Sequence, residues 1–107
     1  SGLSPAFGNA GYFRTFAPEP LPHAMDRFRN EADRLLDLLD ATLAERTYVA
    51  GDSLSIADIA HWGWLWRRAF VGVGFDGRPH LQAWFEGLAA REGFERARIR
   101  VEALAAA

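Results

Sequence analysis

Leu21, Met25, Phe28, Ala32, Leu35, Leu36, Leu39 and Leu43 recur at spacings of three and four residues. A half-buried strand needs strict alternation, and this run has none; it is the apolar stripe of one long amphipathic helix from Leu21 to about Ala44. Such a stripe must be covered, and the rest of the chain offers helices to cover it. Val, Ile and Thr together number 10 against 19 Ala, which leaves little β-branched material for a sheet. Pro20 or Pro22 is placed to open the long helix, where a missing N–H costs nothing. Its other face carries Asp26, Arg27, Arg29, Glu31, Asp33, Arg34, Asp37 and Asp40. Arg27 with Glu31 and Arg29 with Asp33 fall at i,i+4 with opposite sign, the pattern of a solvated face.

Composition narrows the function classes. The chain has 107 residues, half of them apolar, and a formal net charge of -2, which fits one folded domain rather than a disordered tail. Cysteine is absent, excluding disulfides, thiolate metal sites and a cysteine nucleophile in this segment. All 12 basic residues are Arg and are balanced by 14 acidic ones, so the positive excess of a nucleic-acid binder is missing. No apolar run is long enough to span a membrane. His23, His61 and His80 lack metal-ligand spacing, so no metal site is expected. No set of residues forms a self-contained catalytic constellation. The chain opens at Ser1-Gly2 without Met, and it is expected to be a piece of a longer protein.

Around the long helix, Ser1 to Ala17 reads as the end of a helix followed by a loop. Ser55-Ile56-Ala57-Asp58 reads as a capping box: the Ser55 hydroxyl accepts from the Asp58 N–H, and the Asp58 carboxylate accepts from the Ser55 N–H. Leu54 and Ile59 stand at the positions of a hydrophobic staple. Ser55 with Asp58 and His61 is therefore a helix start rather than a nucleophile system. The helix that follows, to Phe70, is apolar all round and is expected to be central and buried. Val71 to Gly77 is a loop, Pro79 opens a helix with Leu81, Trp84, Phe85 and Leu88 on one face, and Phe94 to about Leu104 forms a last, fraying helix. The predicted fold is an all-α bundle of about five helices occupying residues 1–107.

The run Tyr48-Val49-Ala50-Gly51-Asp52-Ser53-Leu54-Ser55-Ile56-Ala57-Asp58-Ile59 resembles the entry to the central helix of the glutathione S-transferase C-terminal domain. Pro79, Leu81 and Trp84 followed by Arg91 resemble that family's next helix. Leu3-Ser4-Pro5-Ala6-Phe7-Gly8-Asn9 with Tyr12-Phe13, and Asp26-Arg27-Phe28, are most similar to the bacterial nu class and its yeast-prion-like relatives. The resemblance implies a cytoplasmic homodimer whose preceding thioredoxin-like domain, absent from this sequence, binds most of the glutathione. The parent chain would conjugate glutathione to a hydrophobic electrophile or exchange it with a disulfide, and this segment would supply the acceptor wall and dimer contacts. A non-catalytic protein-interaction domain of the same fold is the alternative.

Within that resemblance, Arg27 matches an arginine that contacts the glutathione of the partner subunit; its fixed fork suits a carboxylate. A surface pair with Glu31 is the competing reading. Asn9, Tyr12 and Phe13 are candidates for lining the cleft between domains. Trp62 and Trp66 share a face and read as core, whereas Trp64, beside Arg67 and Arg68, is placed to reach a cleft or a basic rim.

Overall fold

Pro22 takes the first position of the long helix α2, Pro22–Glu45, as its fixed φ and missing donor allow. In the computed structural model, which describes residues 2–106, α2 is preceded by α1, Leu3–Gly11, and followed by α3, Ile56–Trp66, α4, Arg68–Val71, α5, Pro79–Ala89, and α6, Glu92–Ala106. Among the described residues there are six α-helices and no strand. Tyr48 and Gly51 exchange backbone bonds of 2.9 and 3.3 Å in an isolated bridge.

The predicted stripe of α2 is the floor of the core. Ala32, Leu36 and Leu43 are buried, with Phe28, Leu35 and Leu39 packed at the margin. Leu3, Phe7 and Ala10 of α1, Trp62 and Leu65 of α3, Val71 of α4, and Leu81, Trp84, Phe85 and Leu88 of α5 pack onto it. Burying one such side chain fully contributes roughly 1.5–3 kcal/mol.

Four local expectations need correction. The segment after α1 is not a loop: Tyr12–Phe16 continues as a π-helical turn, and the chain leaves helical geometry at Ala17. The short α4 raises the helix count from five to six. Helix α3 is not buried all round. Trp62 and Leu65 are inside, but Ile56 is 83% exposed and Ile59 is 55% exposed. Ile59 borders an open groove of about 450 Å³ between α3 and α6, with Trp62, Trp66, Phe94, Ala97 and Val101 along it.

The fourth correction concerns the charged face of α2, which is not simply solvated. Arg78, at the α5 N-cap position, donates to Asp37 Oδ1 at 2.8 Å, to the Gly74 carbonyl at 2.8 Å, and to Asp33 through its carbonyl and Oδ1 at 3.1 and 3.3 Å. Asp40 accepts from the Leu81 backbone N–H at 2.9 Å. A carboxylate on α2 thus caps the start of α5, satisfying a first-turn donor from another element. The predicted Arg29–Asp33 pair gives way because Asp33 is taken by Arg78.

Candidate functional site

Ser55 and Asp58 form the predicted capping box. The Ser55 hydroxyl also accepts from Ala57 N–H at 3.2 Å, one residue earlier than expected, and Asp58 Oδ2 accepts from Ser55 N–H at 3.0 Å. Asp58 has further partners that local sequence does not reveal. It is fully buried, and its Oδ1 accepts from Val49 N–H at 3.0 Å and Trp84 Nε1 at 2.9 Å. Burial pushes the Asp58 carboxyl up, but the bonds from Val49, Trp84 and Ser55 outweigh it and hold the group below its ordinary value. A carboxylate held in this way is a fixed acceptor for two backbone donors and one indole.

The other candidates lie where α1 meets α2 and α3. The Phe13 ring lies parallel to Phe28, 2° from coplanar, with centroids 5.5 Å apart, and Tyr12 meets Phe13 edge-on at 5.1 Å. Tyr12 remains 45% exposed. This brings Tyr12 and Phe13 to the segment of α2 that holds Arg27. Asn9 is exposed, and its side-chain amide donates to the Pro5 carbonyl one turn back at 2.9 Å. Trp64 sits elsewhere, half-buried and edge-on to Phe7 at 6.0 Å. It does not meet a basic rim: the Arg67 guanidinium lies over Phe70 at 5.5 Å, and that of Arg68 over Phe75 and Phe85 at 4.4 and 4.8 Å.

Arg27 is exposed, and the expected pairing partner is engaged elsewhere. Glu31 accepts from Arg34 Nη2 at 2.6 Å and from Arg34 Nε at 3.0 Å. The Arg34 hydrogen bond, more than any other influence, lowers the Glu31 carboxyl; Arg27 adds only a weaker long-range attraction. Among the described residues, Arg27 enters no ion pair. A guanidinium free of ion pairs is able to grip a planar carboxylate through two parallel bonds.

His61 Nδ1 lies 2.7 Å from the Ala57 carbonyl of its own helix, and His23 and His80 are exposed on separate helices. No group of three potential metal ligands exists among the described residues. None of the described helices is long and apolar enough to cross a membrane. Sequence reasoning missed Arg78 and Arg14. The only local trace of the first is an Arg directly before the helix-opening Pro79. Arg14 reaches the Ala69 and Phe70 carbonyls at 3.0 and 3.2 Å, a contact across 55 residues with no local signal at all.

A family model described as the glutathione S-transferase C-terminal domain matches residues 6–92. The disulfide-bond oxidoreductase YghU of Escherichia coli strain K12 is 37% identical over 107 residues, covering 92% of this chain and 37% of that protein. A glutathione transferase of Phanerochaete chrysosporium, crystallised with oxidized glutathione, superposes with a TM-score of 0.87 at 26% identity over 94% of this chain and 47% of that one. Ure2p in complex with S-hexylglutathione gives 0.84 at 27% identity, over 91% and 49%. The chain therefore spans less than half the length of each of these relatives. The match over residues 6–92, the capping box and the all-helical bundle agree: this chain belongs to the glutathione S-transferase family, as its C-terminal domain.

Proposed function

We propose that this domain is the helical half of a glutathione-dependent enzyme, a cytoplasmic homodimer that conjugates glutathione to a hydrophobic electrophile or exchanges it with a mixed disulfide. The thiolate is the reactive nucleophile in either reaction, and its stabilisation falls to the thioredoxin-like domain expected to precede this one. The helices contribute binding. Arg27 grips a carboxylate of glutathione across the dimer interface, Tyr12, Phe13 and Trp64 supply the aromatic wall for the acceptor, and Asn9 lies at its edge. The support comes from relatives that are named as a disulfide-bond oxidoreductase and as glutathione transferases with glutathione bound. Within the domain, one observation carries the reading: Arg27 is left without a carboxylate while Glu31 is committed to Arg34.

The test is calorimetry on the full-length protein. Arg27→Ala is expected to weaken glutathione binding about tenfold, the loss of a charge-assisted bond worth ~1.5 kcal/mol. An unaltered affinity would return Arg27 to the protein surface as a solvated side chain and leave a scaffold role as the better reading.

A further inference from the structure

The π-helical turn Tyr12–Phe16 ends α1 in a geometry that departs from a regular α-helix. Each such turn accommodates an extra residue, so the side chains beyond it are rotated relative to a continued α-helix. Here the turn sorts three of its residues between two neighbours. Phe13 faces α2 and stacks on Phe28. Arg14 and Phe16 face α4, where Phe16 meets Phe70 at 5.7 Å and Arg14 bonds the Ala69 and Phe70 carbonyls.

The α4 side of this arrangement is tight. A Cβ on Gly11 would lie 1.9 Å from the Phe70 ring, so the α1 backbone is seated directly on that ring. Gly72 ends α4 with φ 85°, and a Cβ there would lie 3.0 Å from Arg14 Nε. The guanidinium therefore occupies the place where α4 leaves its last carbonyls unpaired, the end of a helix that favours a cation. Among the described residues, these two bonds are the polar ties between the π turn and α4.

We infer that Arg14 is a positioning residue for the acceptor wall: by capping α4 it holds the π-helical turn in the register that presents Tyr12 and Phe13 beside Phe28. The inference rests on the proposed function, since it assigns Tyr12 and Phe13 to that wall. Arg14 need touch no ligand. It acts through the backbone, fixing the side of the turn opposite to the aromatic surface.

The experiment compares glutathione with S-hexylglutathione on the full-length protein, because the hexyl chain reports the apolar wall and the tripeptide reports the Arg27 side. The wild type is expected to bind the hexyl derivative about tenfold or more tightly than glutathione, from its buried methylenes. Arg14→Met is expected to leave glutathione affinity within about twofold and to erase about tenfold of the hexyl gain, the scale of a misplaced contact surface. Arg14→Lys, which keeps a donor for the carbonyls, is expected to recover most of it. Phe13→Leu, which leaves the cap intact, is expected to show the same selective loss. Equal weakening of both ligands, no change in folded Arg14→Met or Phe13→Leu, a Lys variant no better than Met, or a wild type without a hexyl gain would each overturn the inference. Failure of the underlying reading is separate: it shows as an Arg27→Ala variant that binds glutathione normally.

Discussion

The Trp84 indole donates to the buried Asp58 carboxylate at 2.9 Å, tying α5 to the first turn of α3. The same carboxylate also receives the Val49 and Ser55 backbone donors. Asp58→Ala strands all of these, and because a buried unsatisfied donor costs ~1–3 kcal/mol and neighbouring losses overlap, the expected destabilisation is about 3 kcal/mol by urea unfolding. The charge has its own signature. The folded-state value is depressed, so the stabilisation is present at neutral pH and is lost as pH falls through that value, below the ~4 of an unfolded Asp. The stability gap between wild type and Asp58→Asn should therefore shrink on acidification below about pH 4; a gap constant from pH 7 to pH 3 would remove the carboxylate's charge from the account.

Arg78 and Arg34 both sit in ion pairs, but in different surroundings. The Arg78 side chain is 11% exposed and donates to two aspartates and two carbonyls, whereas the Arg34–Glu31 pair is open to water. Arg78→Met is expected to cost about 1–2 kcal/mol, since it leaves the Gly74 and Asp33 carbonyls without their donor, while the more exposed carboxylates of Asp33 and Asp37 turn to water. Arg34→Met should leave the unfolding midpoint where it is, as exposed pairs do. Equal shifts in the two variants would contradict the division.

Asp40 caps α5 from another helix. Asp40→Ala is expected to lower stability by about 1 kcal/mol, the ordinary cost of a lost N-cap. Asp40→Asn should recover most of that, because its side-chain carbonyl still accepts from Leu81. Thermal unfolding of the two variants side by side distinguishes capping from charge.

Gly11→Ala tests the seat of α1 on Phe70. The added methyl has no room, and overpacking of this kind costs about 1–3 kcal/mol. Phe70→Leu in the same chain should relieve part of it, so the double variant is expected to be more stable than the sum of the singles predicts. Simple additivity would show that the helix shifts freely.

What could be read from the sequence follows the range of the interactions involved. The α2 stripe, the prolines opening α2 and α5, and the Ser55–Asp58 box are all local, and their spacing carried them. The acidic face of α2 was misread because Asp33 at i,i+4 from Arg29 has the same spacing whether its partner is one turn or 45 residues away. The π turn had no signature either. Gly11 and the aromatics after it are compatible with loop or helix, and the ring that decides the matter, Phe70, lies beyond two intervening helices. Trp64 was visible as an aromatic off the Trp62–Trp66 face, but not its edge-on contact with Phe7. Arg27 came from family resemblance alone; what the fold adds is that Glu31 is taken by Arg34.

The connection from α2 to α3 is a stretch of irregular backbone, ordinarily the first place a protease cuts. Here Val49 N–H is anchored on the interior carboxylate, and Tyr48 and Gly51 hold each other across the bend. To enter a protease cleft as an extended strand, the segment must release Asp58, and with it the first turn of α3 and the indole of α5. Its cleavage is therefore gated by opening of the core, and this loop should resist nicking about as long as the helices do.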